Sequence, residues 1–295
     1  PVREAFWCAA GLEALTEWAS FVAAGVTEMW LKTAFATYDP GDRAALTLQI
    51  QRLARTEGQL GAASGRSQTW RARLSVRKAK TSAAAAPETR VGHPKSDFDP
   101  VWSEERAVTA GRELGFERFV LPFEVGAGFY LVECEMAMPD TGERRTLRQG
   151  FWGMDEKLLR EGEFLRCGRD YFEKDGRPFP VVGMTYMSSD VARKYLFLPN
   201  AAVWERDMAR MKRAGINLIR TGIWSAWRQF MFVDGHAYEE TLRAIDAFLL
   251  TAKRYDLEVT FNFFSFTPEM WEGTNPYLDP RSVEAQKRFI AAVVS

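Results

Sequence analysis

The sequence is poor in histidine and cysteine and carries no excess of charge. Its two histidines, His93 and His236, lie far apart and offer no metal-ligand spacing. The three cysteines, Cys8, Cys134 and Cys167, are odd in number and widely separated. Neither a disulfide framework nor a Cys-x-x-Cys motif follows from them. No metal and no cofactor is expected. Lys+Arg and Asp+Glu both number 39, a formal net charge of zero. That balance argues against a nucleic-acid or anionic-membrane partner, since both demand surplus basic charge. No run of about 18 apolar residues is present, so no transmembrane helix is expected. The chain opens on Pro1 without an initiator methionine or a signal peptide, and it closes on an amphipathic stretch that leads nowhere. The expectation is a piece of a longer reading frame.

What is present is an ordinary globular composition, 46% apolar and 26% charged, over 295 residues. That length can bury two cores. Ten tryptophans are more than folding needs, and indole faces suit sugar rings, although most tryptophans in any protein serve packing.

The pattern changes along the chain. "REAFW" (3–7) is echoed by "RQGFW" (148–152), as if each closed a sandwich domain, so residues 1–32 read as the end of a preceding domain plus a linker. Residues 33–150 read as a β-sandwich of immunoglobulin-like type. "RAALTLQIQ", "TWRARLSVRK", "RFVLPFEV", "GFYLVECEMAM" and "RRTLRQGFWG" are short apolar or alternating runs joined by Gly/Pro turns such as "YDPGD". The stretch 80–97 has few bulky apolar residues and reads as a surface loop. Residues 151–170 read as a linker. From 171 to 295, apolar strands alternate with amphipathic helices. The strands lie within 176–187, 216–224 and 258–266, and the helices within 202–215, 238–257 and 281–294. This alternation predicts a parallel sheet with βα crossovers.

Functional groups in such architectures gather beyond the C-terminal ends of the strands. Here that rim holds Tyr186 and Asp190 after the first strand, Arg220, Trp224 and Trp227 after the second, and Asn262, Glu269 and Trp271 on and after the third. A guanidinium, an amide and several aromatic rings on one rim suit a polyhydroxylated ligand. Each side chain alone also suits a purely structural job, the indoles as plugs at the strand ends.

The segments "GRPFPVVGMTYM", "MKRAGINLIRTGIW", "FTPEMW" and "NPYLDPRSVEAQKRF" resemble, in that order, the opening of the catalytic barrel of clan A glycoside hydrolases. The likeness is greatest to the β-galactosidase-like and cellulase-like families with N-terminal β-sandwich domains. Asn217 to Arg220 match the clan's "N-x-x-R", and Pro268 to Trp271 its "P-x-x-W" turn. The resemblance implies the first three βα units of a (β/α)8 TIM barrel behind the sandwich. It also implies retaining hydrolysis of β-linked oligo- or polysaccharide by two glutamates about 5 Å apart.

The resemblance places those glutamates after the fourth and seventh strands, the first in an Asn-Glu pair. No Asn-Glu dipeptide occurs here, and a full barrel takes roughly 250 residues. No catalytic residue is therefore expected within the chain: both glutamates would lie beyond Ser295, and the chain alone would be inactive. Glu269 is read as substrate-side or structural. Arg220 would lie beneath the nucleophile, where a fixed cation keeps a carboxylate ionised. Secretion or a periplasmic location is common in such families, but no signal is visible. The alternative reading is a non-catalytic carbohydrate-binding or adhesion protein; a purely structural α/β protein is a third.

Overall fold

The computed structural model describes residues 8–24, 26–53, 67–81, 97–224, 227–268, 271, 273 and 275–295. "REAFW" and nearly all of the 80–97 loop fall outside the described residues, as does Glu269. The fold is β-rich and multidomain, with four sheets and five helices among the described residues. It begins with helix α1 (Ala9–Ala24), where the sequence reading had the end of a domain and a linker.

Two sheets make the sandwich. One has strands β1 (Val26–Thr33), β3 (Ala45–Leu53) and β6 (Gly115–Val120) in the order β1-β3-β6, all antiparallel. The other runs β2-β8-β7-β4-β5, with β2 (Thr37–Tyr38), β4 (Gln68–Ala79), β5 (Phe98–Ala110), β7 (Gly128–Ala137) and β8 (Arg144–Gly153). It is antiparallel except where β2 joins β8 in parallel.

Strand β1 corrects the expected boundary. Val26–Thr33 pairs with β3 along its whole length, so the sandwich begins before residue 33. Its inward positions include Thr27 while Trp30 faces outward, so polarity and direction disagree and the alternation is hard to read. Strand β5 was also missed. It contains Pro100 and the polar run Ser103–Arg106, and it stands at the sheet edge, where a missing N–H is tolerated.

The core between the sheets includes Leu46, Leu48, Trp70, Val132, Phe119 and Phe151. The opposite face of β7 and β8, with Phe129, Leu131 and Trp152, is buried too, in a second core shared with helices. Being covered on both faces explains why "GFYLVEC" reads as a nearly unbroken apolar run.

Those helices are α3 (Ala201–Arg213) and α4 (Glu239–Arg254), which follow the short helix α2 (Glu156–Arg160). Asn200 caps α3 by accepting from the N–H groups of Ala202 and Val203, and its amide also donates to the Arg148 carbonyl at 3.0 Å. Gly150 on β8 is required for this approach: a Cβ there would stand 2.6 Å from the Ala202 nitrogen. Arg243 on α4 reaches the β2–β3 turn, pairing with Asp39 at 2.9 Å and Asp42 at 3.3 Å.

Residues 166–178 are not a plain lead-in to the α/β unit. They form a small antiparallel sheet of β9 (Arg166–Cys167), β10 (Phe172–Lys174) and β11 (Arg177–Pro178). The predicted strand within 176–187 is reduced to β12 (Gly183–Thr185), because β11 turns back on β10 first. Strand β13 (Leu218–Gly222) pairs in parallel with β12 and with β14 (Glu258–Asn262), and α5 (Pro280–Val294) closes the order. The three helices expected between and after these strands lie within three residues of their predicted bounds. No helix among the described residues is long and apolar enough to cross a membrane.

Candidate functional site

The parallel register pairs Arg220 with Thr260 and Gly222 with Asn262. Side chains two apart along a strand share a face, so Arg220 and Asn262 stand on the same side of the sheet. Gly222 lets them approach. A Cβ at that position would lie 2.1 Å from the Asn262 carbonyl oxygen, a separation no side chain survives. With its amide oxygen turned toward the guanidinium, Asn262 accepts from Arg220 Nε at 2.9 Å and from a terminal nitrogen at 3.0 Å. The opposite orientation would set an NH2 against guanidinium donors, so the hydrogen-bond network assigns this one.

Trp224 completes the group. Its ring lies 5.3 Å from Arg220 Cζ, and it is only 7% exposed. Its indole N–H and the hydroxyl of Ser265 are buried with no hydrogen-bond partner among the described residues. A buried donor without an acceptor is uncommon and costs free energy. Arg220 itself is exposed and, among the described residues, forms no ion pair; its contacts are an amide and an indole. The arrangement can therefore offer a cation without an ion pair among the described residues, held by an amide and flanked by an indole ring. That set can hold a carboxylate or several hydroxyls.

Of the other rim residues named from the sequence, Glu269 lies outside the described residues, and Trp227, Trp271, Tyr186 and Asp190 have other partners. Trp227 is 1% exposed, stacks on Phe264 at 4.7 Å and donates its N–H to the Phe266 carbonyl. Trp271 is buried and donates to the Val233 carbonyl at 3.2 Å. Both indoles pack the end of the sheet. Tyr186 is buried between Tyr195 and Phe248, and its hydroxyl donates to Asp207 at 3.2 Å. Burial, then the Asp207 charge, raise its pKa, so it stays a neutral donor. Asp190 accepts from Ser188 and lines a cavity against the sandwich.

Two residues that sequence reasoning missed hold this region in place. Asp207 on α3 accepts from Tyr186 and from the N–H and hydroxyl of Ser189, fastening the chain after β12. Tyr195 bonds Thr221 at 2.7 Å and donates to the Gly222 carbonyl, which fixes the end of β13. Asp207 carried a signal, a carboxylate on the largely apolar buried side of a helix, which it shares with Glu205; Tyr195 carried none.

No protein-family model matches the chain, and no curated protein matches it. Among solved structures, a glycosyl hydrolase family 2 member from Bacteroides cellulosilyticus is similar at 14% identity and a TM-score of 0.29, covering 80% of this chain and 26% of its own. A β-glucuronidase from Parabacteroides merdae is similar at 15% identity and a TM-score of 0.27, covering 79% and 23%. A sporulation control protein from Bacillus subtilis scores equally with the first, at 14% identity and a TM-score of 0.29, covering 46% and 54%. The chain spans about a quarter of the length of the two glycosidases. Likeness of this size transfers no activity from one protein to another.

Proposed function

We propose that this chain supplies the sandwich and the first three strands of the catalytic barrel of a retaining β-glycosidase, β-galactosidase-like in its order of motifs. The observation that carries the reading is the Arg220–Asn262 pair, an exposed guanidinium without an ion pair among the described residues, held on adjacent parallel strands with the Trp224 ring beside it. In this reading Arg220 holds the nucleophilic carboxylate ionised and oriented, and Asn262 keeps the guanidinium in place. Trp224 and Ser265 take hydroxyls of the sugar. The two glutamates come from later strands, so the catalytic power belongs to the complete protein and the substrate is a β-linked carbohydrate.

The test is hydrolysis of aryl β-galactosides and β-glucosides by the protein expressed from its complete reading frame, with the anomer of the first product read by NMR. Retention is expected, and Arg220→Ala should lower kcat about a hundredfold or more, as loss of a fixed charge at a reacting carboxylate does. A product of inverted configuration, or an Arg220→Ala variant with unchanged kcat/KM, would overturn the reading.

A further inference from the structure

A second concave place in the molecule has a lining that does not include Arg220. Between the free edge of β1 and the chain that follows β12 is a cavity of about 620 Å³. Its size falls in the range of small-molecule sites, and a junction between packed units is where such sites commonly form. One wall is aromatic. Trp30 is 43% exposed, with Lys32 Nζ 4.2 Å from its ring centroid, and Phe35 stands nearby on the same lining. The other wall, from the α/β side, carries Asp190 and Glu240.

The polar groups of this cavity are only partly used by the protein. Asp190 takes both of its hydrogen bonds, from Ser188 and from the Val191 N–H, on the same oxygen, Oδ1. Its Oδ2 remains an acceptor. The hydroxyl of Thr33, on the β1 wall, is buried and has no partner among the described residues. A buried hydroxyl calls for one, from solvent or ligand. An exposed indole, free carboxylate acceptors and an unmatched hydroxyl are together the requirements of a pyranose: a C–H face to stack and vicinal hydroxyls to bind. The charges decide which kind. One cation, Lys32, faces two carboxylates, so the cavity disfavours an anionic sugar.

We infer that this junction cavity binds a neutral saccharide unit, with the ring on Trp30, hydroxyls on Asp190 and Glu240, and Thr33 satisfied by the ligand. The site is independent of the Arg220 group and needs no glutamate from later strands. It therefore operates in the 295-residue chain as it stands.

The experiment titrates the intact chain with lactose, cellobiose and, as the charged comparison, glucuronate, followed by tryptophan fluorescence and saturation-transfer NMR. Saturable binding of a neutral disaccharide near millimolar strength is expected. Trp30→Ala and Asp190→Asn should each weaken it about tenfold, the size of one lost stacking face or charge-assisted hydrogen bond. Arg220→Ala should leave it unchanged. Because both test residues are surface-facing, near-UV circular dichroism of each variant should match the parent, and Asp190→Asn decides the matter if Trp30→Ala unfolds. The inference is overturned if neither disaccharide saturates, if glucuronate binds more tightly than both, or if the folded variants bind like the parent. It also fails if Arg220→Ala abolishes binding, since that places the sugar on the other group. Hydrolysis by the complete protein reads that other group separately, so the two failures are distinguishable.

Discussion

Trp152, on the last strand of the sandwich, donates its indole N–H to the hydroxyl of Thr251 on α4 at 2.9 Å, and both residues are fully buried. The bond joins a sandwich strand to a helix of the α/β unit inside one continuous apolar core. Thr251 also donates to the Ala247 carbonyl, so its hydroxyl serves as donor and acceptor together. Thr251→Val keeps the shape and removes both roles. It should cost about 2 kcal/mol, the penalty of stranding a buried donor, measured by urea unfolding. A change within about 0.5 kcal/mol would mean that the indole finds another acceptor.

Asp246 on α4 sets a pH dependence. Burial, then the neighbouring Glu239 charge, raise its carboxyl to about 6; Arg243 lowers it and Asp39 raises it, both more weakly. The unfolded value is near 3.9, so between pH 4 and 6 the folded chain holds a proton that the unfolded chain releases. The contribution of this residue to stability is therefore greatest below about pH 4, falls as pH rises to about 6 and is level above. Asp246→Asn should remove that slope and stabilise the chain at pH 7 by roughly 1–3 kcal/mol. Urea midpoints at pH 4, 5, 6 and 7 check it, and an unchanged slope would contradict the assignment.

Gly222→Ala should be among the most damaging single substitutions. The added methyl meets backbone, the Asn262 carbonyl at 2.1 Å, and not the tip of a flexible side chain. Separation of β13 from β14 would follow, at a cost of about 3 kcal/mol or more. Hydrogen exchange at Ile223, whose N–H bonds the Asn262 carbonyl, reads the separation directly.

Arg220→Ala should leave the stability of the chain within about 0.5 kcal/mol, because the side chain is exposed and has only an amide and an indole face for partners. A large loss by thermal unfolding would make Arg220 a structural residue and remove the reason to place it in a site.

The βα alternation was legible because its signals are local. In α3 the apolar face of Val203, Met208 and Met211 is buried, and Gly215 follows the last turn with φ +81°. Strands β7 and β8 likewise lie within the predicted runs, while β3 and β4 overrun theirs by one or two residues. Strand β5 was not legible, since an edge strand needs no apolar face on its open side. Within the site, Arg220 stood out as a charge at the end of an apolar strand. The direction of each indole did not: Trp227 and Trp224 are three residues apart, yet one is stacked on Phe264 in the core and the other has its ring beside Arg220.

The sequence by itself determined the alternation of strands and helices from about residue 183 onward, and it marked Arg220. These follow from periodicity, caps and the cost of burying charge, all of which act over a few residues. Only the tertiary structure decided that β1 belongs to the sandwich, that Asn262 is Arg220's partner, and that Asp190 and Trp30 line one cavity. Each of those depends on pairing segments far apart in sequence. The physical determinant is close packing, which local pattern does not encode: a glycine at 222 admits the Asn262 backbone, and a glycine at 150 admits the start of α3.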